Sequence, residues 1–183
     1  MEAMKRERFD QLFQSTHNVI QNPDEFYWLV NLVETLNPKT IIEIGVADGG
    51  SLKFWEQLLP ENGLLIGVDI CDSVRWDYRN SDRRIHLVEG DSRSTETILK
   101  VKQLLSGASI DFLYIDGDHG YEYVKTDFLN YSPLVRSKGL VGFHDISLHE
   151  THEGPTRFFN EIEGKKDALE IQPDMGTGVW WKP

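Results

Sequence analysis

The residues best suited to chemistry lie in two short segments, DFLYIDGDHGY at 111–121 and GLVGFHD at 139–145. Each segment places acids and imidazoles directly after an apolar run: Asp116, Asp118 and His119 in the first, His144 and Asp145 in the second. Carboxylates at two neighbouring strand ends could hold a hard divalent cation such as Mg²⁺, which takes oxygen ligands. An imidazole beside them could accept a proton from a hydroxyl near neutral pH. The pattern therefore indicates metal-assisted acid–base chemistry.

A glycine-rich turn, EIGVADGGS at 43–51, follows another β-branched run. Glycines let the backbone approach a ligand closely because they lack a Cβ atom. The spacing Gly-x-x-x-Gly differs from the Gly-x-Gly-x-x-Gly of dinucleotide binders, which disfavours a pyrophosphate cradle. Asp69 ends the next apolar run and could accept the hydroxyls of a ribose, and EGDS at 89–92 offers an acceptor and a hydroxyl for a base edge.

Apolar runs and helix-period segments alternate along the chain. Strands are predicted at 40–44, 64–69, 85–89, 110–115, 140–144, 169–171 and 178–181. Helices are predicted at 22–36, 51–59, 95–105, 121–131 and 155–162, with a weaker one at 4–16. The alternation predicts an α/β fold with a mostly parallel seven-stranded sheet covered by helices on both faces. Ligands bind such sheets beyond the carboxyl ends of the strands, where every candidate residue above lies.

The length and charge of the chain limit the classes of partner. Its 183 residues predict a single domain over 1–183, with N-terminal helices at 1–38 and the α/β core at 39–183. The formal net charge of −11 disfavours nucleic acids and anionic membranes, because such a surface repels phosphate groups. A small-molecule partner is the expectation that remains.

Cysteine content and hydropathy add further exclusions. Cys71 is the only cysteine, so an intramolecular disulfide and a cysteine-based zinc cluster are excluded. No apolar run approaches the roughly 20 residues of a membrane span, and the N-terminus lacks the apolar core of a secretory signal. A cytoplasmic location is therefore predicted.

The turn EIGVADGGS, the strand-end Asp69 and the EGDS segment together resemble the class I S-adenosylmethionine-dependent methyltransferases over about residues 40–147. The resemblance implies a Rossmann-like methyltransferase fold with S-adenosyl-L-methionine as cofactor. It implies that the glycine turn lies under the methionine part, Asp69 binds the ribose, and Asp91 and Ser92 border the adenine. The implied cofactor-binding residues are Glu43, Gly45, Val46, Gly49, Ser51, Asp69, Asp91, Ser92 and Asp116.

Residues 115–122 and 139–145 also resemble a narrower branch, the metal-dependent sugar and macrolide O-methyltransferases and the relatives named after cephalosporin hydroxylase. That resemblance implies Asp116 and Asp145 as metal ligands and His119 as the general base, with Asp118 as a competing base or accessory ligand. Several relatives carry an acid where His144 stands. Since imidazole prefers softer metals than Mg²⁺, three roles stay open for His144: a weak metal ligand, a residue that contacts the ligands but not the metal, or a substrate contact.

These observations predict methyl transfer to an oxygen of a small molecule, a sugar hydroxyl or a phenol, assisted by a divalent metal such as Mg²⁺. Three alternatives remain open: a metal-independent methyltransferase that uses Asp118 or His119, a nucleotide-dependent oxidoreductase, and a non-catalytic cofactor-binding module. A transition-metal site formed by His144, His149 and His152 is a further alternative. A homodimer is also predicted, because the chain outside the core offers little material for a substrate lid.

Overall fold

The computed structural model describes residues 4–147, 153–171, 173 and 175–183. Its seven strands form one sheet, with bounds β1 Thr40–Ile44, β2 Leu64–Asp69, β3 Arg84–Glu89, β4 Ile110–Ile115, β5 Val135–His144, β6 Lys166–Leu169 and β7 Thr177–Trp181. The strand order is β3-β2-β1-β4-β5-β7-β6, and β7 runs antiparallel to both of its neighbours. The predicted mostly parallel seven-stranded α/β sheet is confirmed.

Six α-helices surround the sheet: α1 Arg6–Ser15, α2 Pro23–Glu34, α3 Gly50–Leu58, α4 Thr95–Leu105, α5 Tyr121–Tyr131 and α6 Glu153–Glu161. Their ends follow from local sequence chemistry. The Asn22 side chain accepts hydrogen bonds from the amides of Asp24 and Glu25 in the first turn of α2, and Pro23 has no amide hydrogen that would need a partner. The Ser94 side chain caps α4 in the same manner.

Alternate residues of each strand point to opposite faces of the sheet and create two separate cores. On one face, Ile42 and Leu113 pack with side chains from α4, α5 and α6. On the other face, Ile41 and Phe112 pack with aromatic residues from α1, α2 and α3. The helices on both faces hold the strands rigidly, so the positions of the strand ends are fixed by packing.

From β1 the chain continues to β2 on one side of the sheet, and from β4 it continues to β5 on the other side. A crevice therefore opens where the neighbouring strands β1 and β4 end. The turns after the two strands are in close contact: the Asp116 amide donates to the Ile44 carbonyl at 2.9 Å. Gly45 has φ +82°, and a Cβ atom there would lie 2.1 Å from the Asp116 carbonyl oxygen. Only glycine therefore allows the two turns to meet.

The sixth strand lies at Lys166–Leu169, and the predicted strand at 169–171 was wrong. The backbone amide of Ile171 instead donates to the carboxylate of Glu25, at 2.6 Å, and Gly176 donates to the same carboxylate at 3.1 Å. Because a side chain of α2 takes these hydrogen bonds, the chain leaves the sheet after Leu169. Among the described residues, no helix combines the length and apolar character that a membrane crossing requires.

Candidate active site

Among the cavities at the carboxyl ends of the strands, two share a wall at Asp116. The larger one, of about 500 Å³, lies beyond β1, β2 and β3 and is lined by Asp69, Ile70, Asp91 and Ser92 among others; we call it the β2 cavity. The smaller one, of about 380 Å³, lies beyond β1, β4 and β5 and is lined by Glu43, His119, His144 and Asp145 among others; we call it the β5 cavity. Four residues line both: Gly45, Ala47, Asp116 and Gly117. The cavities are thus adjacent, with Asp116 at their common wall.

The glycine turn after β1 is held by Asp69. One carboxylate oxygen of Asp69 accepts hydrogen bonds from the backbone amides of Val46, at 2.8 Å, and Ala47, at 3.0 Å. The turn ends at Gly49, whose φ of +81° begins α3. Asp69 therefore fixes the backbone of the turn while it lines the β2 cavity, and Val46 and Gly45 line the β5 cavity on the other side.

Glu43 is fully buried at the end of β1. One of its carboxylate oxygens accepts a hydrogen bond from the Ser51 hydroxyl at 2.5 Å, and the other accepts one from the Trp55 indole nitrogen at 2.8 Å. Burial raises the pKa of Glu43 to about 8, although both hydrogen bonds act to lower it. Glu43 is consequently protonated at neutral pH and hydrogen-bonded to Ser51.

We expect Glu43 to make the stability of the fold depend on pH. In the unfolded chain, Glu43 loses its proton near its ordinary pKa of 4.5. In the folded protein, it keeps the proton until the pH approaches the raised pKa of about 8. The free energy of unfolding should therefore fall across this window, by a few kcal/mol at most, as the pH rises. Glu43→Gln should remove that part of the decline, since a glutamine can donate to the Ser51 hydroxyl and accept from Trp55.

Denaturant unfolding at pH 5 and pH 8 checks this expectation in the wild type and the variant. The wild type should lose more stability than Glu43→Gln between the two pH values. An equal loss in both proteins would show that Glu43 does not titrate in this window.

The residues after β3 take part in two local networks. Asp91 forms an ion pair with Arg93 at 2.6 Å, and the Arg93 guanidinium lies 3.8 Å from the centroid of the Tyr123 ring. The Ser92 hydroxyl donates to Asp127 at 2.6 Å, and burial raises the pKa of Asp127 to about 6. Asp91 and Ser92 thus line the β2 cavity, but each is already engaged by a neighbouring side chain.

Asp116, His144 and Asp145 form the densest group of ligand-type side chains. The His144 Nδ1 atom lies 3.1 Å from one oxygen of Asp116 and 3.1 Å from one oxygen of Asp145. One ligand atom from each residue lies within 4.8 Å of the other two, an arrangement that could hold a metal ion. Gln21 donates to the second oxygen of Asp116 at 2.7 Å. Two strand ends and the segment before α2 therefore build the group together.

The charges of this group reinforce one another. Burial lowers the pKa of His144, but the carboxylates of Asp116 and Asp145 outweigh it and raise that pKa to about 10. Burial acts to raise the pKa of Asp145, and the hydrogen bonds from His119 and His144 outweigh it, so its pKa lies well below the ordinary value. Asp145 is therefore ionised at neutral pH.

His119 joins the same group from the β4–α5 turn. Its Nε2 atom lies 3.0 Å from Asp145, whose hydrogen bond raises the pKa of His119. Gly154 packs beneath the turn, because a Cβ atom there would lie 2.2 Å from the His119 carbonyl oxygen. Asp118 points elsewhere: it lines the β2 cavity and accepts a hydrogen bond from the Gly120 amide at 2.7 Å. The structure separates the two residues named above as competing bases.

Several residues that line the two cavities were not identified from the sequence. Asn18, Gln21 and Met175 line the β5 cavity, and Arg93, Tyr123 and Asp127 line the β2 cavity. Asp127 could have been found from its inward position on α5, since an acid on the apolar face of a helix is unusual. Gln21 precedes the cap of α2 and reaches the site only through tertiary packing. His149 and His152 lie outside the described residues.

The chain is similar in sequence to known methyltransferases. A family model described as a methyltransferase domain matches residues 42–146. Tapetum-specific methyltransferase 1 of Arabidopsis thaliana is 31% identical over 181 residues, covering 85% of this chain and 74% of that protein. The chain spans 18% to 59% of the length of other curated relatives, several of them named caffeoyl-CoA O-methyltransferases.

Solved structures resemble the whole fold. An O-methyltransferase from Bacillus cereus in complex with S-adenosylhomocysteine superposes with a TM-score of 0.67 at 18% identity, covering 97% of this chain and 92% of that one. The MycE methyltransferase of the mycinamycin biosynthetic pathway, in complex with Mg and S-adenosylhomocysteine, superposes with a TM-score of 0.63 at 19% identity. That match covers 94% of this chain and 53% of MycE.

Proposed function

Because the chain belongs to the S-adenosylmethionine-dependent O-methyltransferase family, we propose that it methylates a hydroxyl group of a neutral small molecule. The acceptor would be a sugar or a phenol, and a divalent metal ion would assist the transfer. The observation that carries the proposal is the position of Asp116, which lines both cavities and belongs to the metal-ligand group. A cofactor in the β2 cavity and an acceptor in the β5 cavity would meet beside it. In the transfer, the S–CH₃ bond breaks, an O–CH₃ bond forms, and the acceptor proton leaves.

The β2 cavity provides the groups that an adenosine needs. Asp69 would accept ribose hydroxyls through Oδ1, because the Val46 and Ala47 amides occupy Oδ2. Of the residues that the structure describes, only Cys71 reaches Oδ1, through long contacts. Ile70 is 76% exposed and lines the same cavity, which gives the adenine an apolar contact. Asp91 and Ser92 would border the base edge. The methionine part would extend over the turn of Gly45, Val46 and Gly49 towards Glu43 and Ser51.

The group at the β4 and β5 ends fits a divalent ion by its chemistry. Two carboxyl side chains, Asp116 and Asp145, supply the oxygen ligands that such ions take in proteins, and His144 adds a nitrogen. When bound, a divalent ion supplies a Lewis acid that lowers the pKa of an acceptor hydroxyl and orients it. His144 is only 6% exposed, so its ring is held in place by packing before any ligand arrives.

His119 is the proposed general base. Asp145 holds the His119 Nε2 atom at 3.0 Å, which fixes the ring at the edge of the β5 cavity. The side chain is one-third exposed, so the ring can reach an acceptor and pass its proton to water afterwards. Alignment of the acceptor oxygen with the methyl group by the cavity walls would supply much of the rate.

The charges around the β5 cavity favour a neutral acceptor. No lysine or arginine is among the described residues that line it, whereas Asp116 and Asp145 are. In the β2 cavity, the Arg93 side chain is already paired with Asp91. Phosphate groups are usually bound by arginine and lysine side chains. A coenzyme A thioester, which some relatives are named after, therefore finds little support here.

Methyl transfer from labelled S-adenosylmethionine tests the proposal with a catechol, a sugar glycoside and the coenzyme A thioester of a phenol as acceptors. We expect transfer to a neutral acceptor to exceed transfer to the thioester at least about tenfold, and to stop after chelation. Preference for the thioester would contradict the neutral acceptor. Undiminished transfer after chelation would instead support a metal-independent methyltransferase.

A further inference from the structure

His144 introduces a nitrogen atom into a ligand group that otherwise contains carboxylates. We infer that His144 binds the ion through Nδ1 and makes the site select a transition-metal ion, such as Mn²⁺, Fe²⁺ or Co²⁺, over Mg²⁺. The inference rests on the metal site of the proposed function and deepens it by naming the class of ion. The Mg found with MycE belongs to that protein and leaves the preference of this chain open.

The positions of the three ligand atoms suit one ion. His144 Nδ1 lies 3.1 Å from the nearest oxygen of Asp116 and 3.1 Å from that of Asp145. Metal–ligand bonds of about 2.1 Å at right angles place neighbouring ligand atoms roughly 3 Å apart. Nδ1 therefore already stands at the separation that two neighbouring ligands of a six-coordinate ion require, with both carboxylates as its neighbours.

The chemistry of the ligand atoms decides between ions. Mg²⁺ prefers oxygen ligands and gives up its water reluctantly, so it gains little from an imidazole. Affinity for sites with nitrogen ligands rises from Mn²⁺ through Fe²⁺ and Co²⁺. A site with two carboxylates and one imidazole keeps enough negative charge to hold any of these ions, but only the transition-metal ions gain from His144.

The surroundings of His144 favour a ring that presents Nδ1 to a ligand. The ring is 6% exposed, and its Nε2 atom has no hydrogen-bond partner among the described residues. β5 pairs His144 directly with Thr177 of β7, whose hydroxyl also lacks a partner in the described part of the chain. Side chains directly opposite on paired strands lie on the same face, about 5 Å apart at Cβ. One water between them would accept the Nε2 proton, and a bound ion would displace the Nδ1 proton that faces the two carboxylates.

Metal titration of the full chain, freed of metal by chelation, tests the inference. Electron paramagnetic resonance measures Mn²⁺ affinity, and competition gives the Mg²⁺ affinity. We expect the wild type to bind Mn²⁺ at least about 100-fold more tightly than Mg²⁺. His144→Glu, which restores an acid at this position, should reduce that ratio at least about tenfold. His86→Glu makes the same change on β3, outside both cavities, and should leave the ratio unaltered.

A spectroscopic signature identifies the nitrogen directly. In protein labelled with ¹⁵N-histidine, spin-echo measurements on bound Mn²⁺ should show a directly bonded nitrogen that persists in His119→Gln and disappears in His144→Glu. Binding of S-adenosylhomocysteine by each variant shows that the fold is intact. If His144→Glu does not fold, the nitrogen signal of the wild type and His119→Gln still decides the question.

Two results would overturn the inference: bound Mn²⁺ without a nitrogen ligand, or a wild-type Mn²⁺ preference that His144→Glu leaves unchanged. Either result would leave metal-dependent methyl transfer standing if chelation still abolishes it. Failure of the proposed function has a different pattern, in which S-adenosylhomocysteine does not bind or transfer continues without metal. The two failures are therefore distinguishable.

Discussion

Asp145→Asn is expected to lower kcat/KM for methyl transfer by about 10³-fold or more, with little change in the binding of S-adenosylhomocysteine. Asp145 touches two partners at once, because its carboxylate lies 3.0 Å from His119 and 3.1 Å from His144. The substitution removes the negative charge that binds the metal and holds the proposed base. A loss of about 4 kcal/mol in transition-state stabilisation, typical for a metal ligand, corresponds to this factor.

Asparagine is the appropriate substitution for the backbone at this position. Asp145 has a φ of +56°, in the left-handed region that asparagine and aspartate tolerate better than other side chains. An alanine would add backbone strain to the loss of charge, and the two effects on kcat/KM could not be separated. Thermal unfolding of Asp145→Asn should remain cooperative, and cofactor binding in the β2 cavity should stay within about twofold of the wild type, because Asp145 does not line that cavity. Wild-type turnover in Asp145→Asn would contradict the proposed role of Asp145.

His119→Gln is expected to reduce kcat by about 10² to 10⁴-fold, the usual range for removal of a general base. Glutamine can still donate to Asp145, so the turn should keep its position. Asp118→Asn distinguishes the two candidate bases: Asp118 faces the β2 cavity and accepts from the Gly120 amide, a bond that asparagine preserves. We expect Asp118→Asn to lower kcat less than about tenfold.

The dependence of kcat on pH separates a base from a structural residue. The wild type should show a rising limb as His119 loses its proton, and His119→Gln should lose that limb. A large decrease in kcat in Asp118→Asn, together with a rising limb of kcat against pH that persists in His119→Gln, would instead identify Asp118 as the base.

Strand ends were the most predictable part of this molecule. The apolar runs that lead to Glu43, Asp69 and Asp116 indicate strands in an alternating α/β pattern, because buried parallel strands need apolar residues on both faces. The order of elements then places the ends of β1, β4 and β5 side by side. For this reason the sequence predicts the meeting of Asp116, His144 and Asp145, while the role of each stays a prediction.

Side-chain direction and long-range partners were beyond the sequence. Asp118 and His119 are adjacent in the chain, yet the turn sends them into different cavities, since its backbone angles decide the direction of each. Gln21 contacts Asp116 across 95 residues of chain, and the contact exists only because α2 packs on the sheet. The ion pair of Asp91 with Arg93 is equally invisible in the sequence, because many neighbouring acids and bases remain solvated.

In the proposed site, cofactor and metal lie next to each other on either side of Asp116. Paramagnetic relaxation tests this arrangement without knowledge of the acceptor: the methyl group of ¹³C-methyl-labelled S-adenosylmethionine is observed by nuclear magnetic resonance while Mn²⁺ is added to the full chain. We predict strong broadening of the methyl signal in the wild type and little in Asp145→Asn at the same Mn²⁺ concentration. A methyl signal that stays sharp while cofactor and Mn²⁺ are both bound would show that the two sites are not adjacent.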